Sequence, residues 1–346
     1  MARRVDSPIL MINAPPFSPG ISVLTCRIEV KSRLIELLRG VVVLFFVALA
    51  VTLPVWSAGE DAIAVIYPDI GEPYRDIFDE IIKGIEDKVG TRVSAYPVTS
   101  NTDIAELKAS LIHQKAKVVI ALGRQGMKTA TVLNNGAVVV GGVLTVPENE
   151  ASRQPVITLS PDPALLFARM KALMPMTKRI FVVYDPGFNS WLIKLAKDAA
   201  SAQGIELVVY KAQDLRSAVR SYQEIFSAAD GRSDVLWLPQ DPTTVEENSV
   251  LPLVLQESWN QSVGVFSSNF GHVRRGVLFS LYPDNEALGK SLASLAEGIL
   301  NSGAESGKTG MMSLHDVQGA VNVRTAKHLG INPARLKNFD TTFPEQ

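Results

Sequence analysis

Thiol chemistry is almost missing from this 346-residue chain, in which Cys26 is the single cysteine. That residue lies ahead of an apolar run, Val41–Leu53 (VVVLFFVALAVTL), which follows Lys31, Arg33 and Arg39 and is broken by Pro54. A basic segment, a short apolar core and a small-residue exit at Ser57, Ala58 and Gly59 describe a secretory signal peptide. The mature chain is then expected to hold neither a thiol nucleophile nor a disulfide, and to depend on its core alone. A lipoprotein anchor at Cys26 is excluded, because the apolar core follows it. Histidine is also scarce, and His113, His272, His315 and His328 lack the two-His spacing of a zinc helix. The nucleophile elbow G-x-S-x-G and the phosphate loop G-x-x-x-x-G-K-[ST] are both missing. Net charge is −1, with no basic stripe interleaved with aromatics, so a nucleic-acid partner is set aside. These absences imply no metal and no organic cofactor, and they argue against an enzyme.

The apolar run is shorter than the roughly 20 residues of a membrane-spanning helix. An uncleaved anchor extended by Val55 and Trp56 nevertheless stays open, as do cleavage after Ser57 and after Gly59. Residues 1–30, with Pro15, Pro16 and Pro19, make a long leader that an upstream start codon explains better than a functional arm. Removing residues 1–58 takes away more basic than acidic residues, which leaves a mildly acidic, periplasmic chain.

From residue 62 onward short apolar runs alternate with amphipathic stretches. Ala62–Tyr67, Val93–Tyr96, Val118–Leu122 and Ala137–Val140 read as strands. Between them Tyr74–Val89 reads as a helix with Ile77, Ile81, Ile82 and Ile85 on one face, and Asn101–Gln114 as one with Ile104, Leu107, Leu111 and Ile112 inward. A further helix is expected over Gln125–Leu133. This β-α order calls for a parallel sheet covered by helices. Gly142–Ser160, with Pro147 and Pro155, lacks periodicity and reads as a crossing. The rhythm then restarts, with strands at Arg179–Tyr184, Ile205–Tyr210, Val235–Leu238 and Val263–Ser267. Helices are expected at Pro163–Met174, Trp191–Ala202, Leu215–Ala228 and Val245–Trp259. The expected class is α/β, with two doubly wound lobes. The divisions are a leader (1–58), a first lobe (59–145), a crossing (146–160), a second lobe (161–270) and a returning tail (271–346).

In open parallel sheets ligands sit beyond the carboxyl ends of the strands. The candidates there are Tyr67 and Asp69 after the first strand, then Gly123, Arg124 and Gln125, and Gly142. In the second lobe they are Asp185 and Asn189, then Gln240 and Asp241, then Ser267 and Asn269, with Tyr282 after a returning strand. Glycines at a helix start let an anion approach free N–H groups, and Arg124 adds charge assistance. An ordinary strand-to-helix turn is the plainer reading of the same residues. Asp185, Asn189 and Asp241 are suited to holding an ammonium or a hydroxyl, whereas Asn189 and Thr243 also suit helix caps. Among the aromatics nearby, Tyr67, Phe188, Trp191 and Tyr282 suit either stacking on a planar ligand or core packing.

The tail carries the most specific pattern. GVLFSLYPD (Gly276–Asp284), EALG (Glu286–Gly289) and the spaced residues N-x-x-T-A-x-x-L-G (Asn322–Gly330) follow in order. Together with YDPGFNSW (Tyr184–Trp191) and LPQDPTTV (Leu238–Val245), they resemble the periplasmic substrate-binding proteins of ABC importers related to the tryptophan- and tyrosine-binding members. The resemblance spans roughly residues 62–332. It implies a type I periplasmic binding protein-like fold with a multi-crossing hinge, and a tail that packs back near the first lobe and hinge. It also implies closure on a small polar solute, amino-acid-like or another small polar metabolite, and a membrane permease as partner. A membrane sensor is the alternative partner. Where members of that family often carry a D-P dipeptide after the fourth strand, this chain has GGVLTVPENE (Gly141–Glu150), so aromatic amino-acid binding is not carried over.

Overall fold

A computed structural model describes residues 62–72, 74–134, 136–146, 154–302 and 309–344. The leader, signal-peptide and cleavage readings lie outside them, as does Cys26. The chain runs β1 (Ile63–Pro68), α1 (Tyr74–Val89), β2 (Ser94–Val98), α2 (Ile104–His113), β3 (Val118–Leu122), α3 (Gly123–Leu133), β4 (Ala137–Val143) and β5 (Pro155–Pro161). It continues through α4 (Pro163–Leu173), β6 (Arg179–Tyr184), α5 (Pro186–Ala202), β7 (Glu206–Lys211), α6 (Leu215–Ala228), β8 (Asp234–Leu238), α7 (Val250–Gln261), β9 (Gly264–Ser267) and α8 (Phe270–Arg275). The last part is β10 (Phe279–Pro283), α9 (Asn285–Ser302), β11 (Gly310–Leu314), β12 (Val317–Asn322), α10 (Val323–His328), a 3-10 turn (Pro333–Leu336) and β13 (Thr341–Phe343).

These strands form two sheets, in the orders β11-β5-β4-β3-β1-β2 and β13-β12-β10-β9-β8-β6-β7. Pairing is parallel throughout except between β10 and β12. Every residue of β3 and of β8 is buried, because helices cover both faces, and this is why those strands show no alternation. The α/β class and the pair of largely parallel sheets agree with the sequence expectation.

The region read as a crossing is different. Pro155–Pro161 is a strand that pairs with β4 on one side and β11 on the other. The chain leaves the first sheet only after it, returns through α9, and crosses again between β11 and β12. The tail is therefore shared. α9 packs in the core beneath the first sheet with Ile81, Ile85 and Leu122, whereas β10, β12 and β13 complete the second sheet. Two smaller differences have local causes. Ile112, expected inward, is exposed, because α2 buries only Leu107 and Leu111. α5 begins at Pro186 and not at Trp191, because Asp185 caps it by accepting the Gly187 N–H.

An ion pair with a buried carboxylate fixes the start of β6 against β8. Asp234 is fully buried and receives Arg179 Nε at 2.9 Å and the Asp230 amide at 2.7 Å, with Arg179 Nη2 on its second oxygen. Burial alone would raise the Asp234 carboxyl; the Arg179 and Asp230 hydrogen bonds outweigh it and hold the pKa below the ordinary 3.8. The stabilisation is then complete above that ordinary value and is lost as the pH falls below it. Asp234→Asn is expected to cost about 1–3 kcal/mol at pH 7, since the Arg179 it leaves is partly solvated. Urea denaturation should show the gap to wild type shrinking steadily below pH 4, and a gap independent of pH would refute the assignment.

Candidate functional site

A cleft of 810 Å³ opens between the carboxyl ends of strands from both sheets. The first sheet supplies Arg124 after β3 and Gly142–Thr145 at the end of β4; the second supplies Phe188 after β6, Pro239–Asp241 and Glu246–Asn248 after β8, and Asn269 and His272 after β9.

On the first wall, β3 turns directly into α3. Gly123 and Gly142 both hold positive φ, +66° and +69°. A Cβ at Gly123 would stand 3.0 Å from Pro68 Cγ, and one at Gly142 would stand 3.6 Å from the Gly123 amide. Glycine at both positions is what the positive φ and the close approach of β4 to the start of α3 require. Leu122, at the cap position of α3, makes no side-chain hydrogen bond, so the first amides of the helix have no side-chain acceptor. Arg124 projects beside them, exposed.

The second wall is held by Asp241, which is buried. Its Oδ2 accepts the Asp185 amide at 2.7 Å and Asn189 Nδ2 at 2.9 Å, and its Oδ1 accepts the amides of Thr243 and Thr244, each at 3.0 Å. Asp185 is equally engaged, accepting Gly187 N–H at 2.9 Å and the Thr243 hydroxyl at 2.9 Å. Glu246 accepts the Asn248 amide and both the amide and hydroxyl of Ser249, and these bonds, the Ser249 hydroxyl's first, hold its pKa at about 2. That turn is why α7 starts at Val250 and not at Val245.

His272 was not singled out from the sequence. It is 3% exposed, with Nδ1 2.9 Å from Ser267 Oγ. Ser267 Oγ also accepts the Asn269 amide at 3.0 Å and lies 3.2 Å from Leu238 O, which can only accept. The single hydroxyl proton therefore goes to Leu238, and Nδ1 must carry the proton it donates to Ser267. Nε2 is left as a bare acceptor 3.9 Å from Glu247 Oε1. Burial lowers the His272 pKa from 6.5 to about 4, against the opposing pull of Glu247 and with the help of Arg275. The unfolded chain takes up a proton below pH 6.5 that the folded protein refuses until about pH 4, so stability falls across that window. NMR should find this imidazole neutral at pH 6, and His272→Gln should flatten the pH slope. Titration near 6.5 would remove the assignment.

Of the residues expected from sequence, Arg124, Gly142, Gln240, Asp241 and Asn269 line the cleft, and Phe188 joins them. Gly123 lies directly behind Gly142. The others lie elsewhere. Tyr67 packs toward Phe78, with ring centroids 6.4 Å apart, and Asp69 is exposed, its amide bonded to Val98 O. Gln125 donates to Thr99 O at 3.1 Å. Asp185 and Asn189 support the wall from behind, and Ser267 is fully buried. Tyr282 packs on Phe270 at 4.6 Å and bonds Thr341 Oγ1 at 3.0 Å, which places it against β13. Trp191 packs against the second lobe's core.

A family model described as ABC transporter substrate binding protein matches residues 83–335. The chain belongs to that family. This substrate-binding protein resembles the ligand-free, open structure of a substrate binding protein with adhesive properties from Clostridium difficile, with TM-score 0.55 and 19% identity, covering 81% of this chain and 98% of that one. A conserved domain protein from Vibrio cholerae gives TM-score 0.50 at 19% identity, covering 82% of this chain and 99% of that one. At these identities the likeness establishes the fold. No curated protein matches the sequence. The family is one of substrate binders and not of enzymes, and its members are typically extracytoplasmic.

Proposed function

We propose that this protein is the solute-capturing component of an ABC importer, acting outside the cytoplasmic membrane after secretion. The observation that carries the reading is the cleft itself, which both sheets line at the carboxyl ends of their strands. A small polar solute held there touches Arg124 and the start of α3 on one side, and Gln240, Asn269 and His272 on the other. Contacts made to both walls only when the lobes approach favour a closed state, which a membrane permease then reads. Thr145 Oγ1 already reaches across to Phe188 O at 3.2 Å, and the repeated crossings limit the motion to a hinge.

The test uses mature chain from Glu60, unfolded and refolded to strip any carried-over ligand, in thermal shifts against amino acids, short carboxylates, sugars and nucleosides. A bound solute stabilises the folded state only. At a hundredfold excess over Kd the midpoint should rise by about 5–10 °C. Silence across the whole set with well-folded protein would overturn the reading.

A further inference from the structure

We infer that the solute this cleft captures carries a net positive charge, with an ammonium or guanidinium group seated between Glu247 and His272. The inference rests on the cleft being the solute site and names the chemistry of what enters. Among the described lining residues the carboxylates are Asp241, Glu246 and Glu247, and the cation is Arg124. Asp241 and Glu246 spend their lone pairs on protein amides and hydroxyls, yet their charge remains in the wall. Glu247 is different. Its side chain is 60% exposed, forms a long ion pair with Arg275 Nη1 at 3.8 Å, and lies 3.9 Å from the neutral His272 Nε2, with neither contact at hydrogen-bond distance.

His272 supplies the second, independent observation. The residue is 3% exposed and lines the cleft; its Nδ1 is committed to Ser267, so Nε2 keeps a free lone pair 3.9 Å from the Glu247 carboxylate. Two acceptors face each other with no donor between them. A solute carboxylate or phosphate placed there would meet repulsion from both, and a neutral apolar group would leave both unpaired. A cationic N–H group donates to each at once, and its charge offsets that of the wall. Arg124, exposed on the opposite wall, suits an anionic end of the same solute. The class that satisfies both walls is a dibasic amino acid or a related guanidino or diamino acid.

Isothermal titration at pH 7.5 with isosteric pairs tests this: arginine against citrulline, lysine against norleucine, and putrescine, with glutamate as the anion. The cationic member of each pair should bind at least tenfold more tightly than its neutral isostere, and raised salt should weaken it. Glu247→Gln should lower that affinity tenfold or more while leaving the melting temperature of the free protein unchanged. Equal binding of citrulline or norleucine, preference for glutamate, or undiminished cation affinity in Glu247→Gln would overturn the charge assignment and leave solute capture standing. No response to any solute, charged or neutral, in this set and in the wider one would remove the cleft reading and this inference with it.

Discussion

Replacing Gly289 by alanine is expected to destabilise the protein by about 1–3 kcal/mol, the range for forcing volume into a packed interface. α9 and α1 cross with their backbones in contact at this point. A Cβ added at Gly289 would stand 2.1 Å from Ile81 O, and one at Gly84 would stand 2.0 Å from Glu286 O. Both obstacles are helix backbone and have no rotamer to change, so the helices must separate. Separation would open the core shared by Ile81, Ile85, Leu288 and Leu292, all fully buried. It would also stretch the surface pair that bridges the crossing, in which Glu286 on α9 accepts Lys83 of α1 at 2.8 Å. Gly298 gives an internal control on the same helix, since a Cβ there meets nothing within 4 Å. Gly298→Ala should be neutral or stabilising by up to about 1 kcal/mol, the ordinary helical preference for alanine. The two variants should therefore move the midpoint of urea unfolding in opposite directions. Equal midpoints would mean that the α1–α9 contact is looser than described.

What the sequence revealed about this fold follows from how local each signal is. Strands such as Val118–Leu122 are continuous apolar runs because both faces are covered, and a run of that kind is legible without knowing its neighbours. β5 was not legible. It begins and ends with proline and buries Thr158 and Ser160, and Thr158 finds its acceptor in Met312 O, on a strand more than 150 residues away. Its identity as a strand is settled by β4 and β11, and a window of neighbouring residues contains neither. The same holds for β12 and β13, and it explains Tyr282: the position follows a strand as expected, but β13 arrives beside it and takes its hydroxyl. In the cleft, loops after the strands were found from sequence, while the side chains that face inward were found less well. Asp185, Asn189 and Ser267 sit at the right strand ends, yet each is consumed in holding a neighbouring loop. His272 shows the converse. Nothing in its local sequence marks it, and its role emerges only when the β8 and β9 loops lie side by side.

The second large effect is expected at Asp241. Asp241→Ala should cost on the order of 3–5 kcal/mol, the range for breaking a buried charged network. The substitution would leave the amides of Asp185, Thr243 and Thr244 and the side-chain amide of Asn189 without their acceptor. Asn189 is itself 3% exposed and cannot turn to water for a replacement. Asp241→Asn separates the wall-holding role seen in the structure from the ligand-holding role expected from sequence. An asparagine keeps one oxygen, which can still serve Thr243 and Thr244, but sets an N–H donor against the donors of Asp185 and Asn189. It should lose about 1–3 kcal/mol of stability before any solute is added. A residue that merely grips the solute would instead lose affinity at an unchanged melting temperature. Urea unfolding of the free protein, beside titration with the best solute, distinguishes these outcomes. An Asp241→Asn protein as stable as wild type would show that the Tyr184–Trp191 and Leu238–Val245 loops are held by something other than this carboxylate. The expected loss would explain why both segments combine small, turn-forming and capping residues around one aspartate. They form a single hydrogen-bonded wall of the cleft.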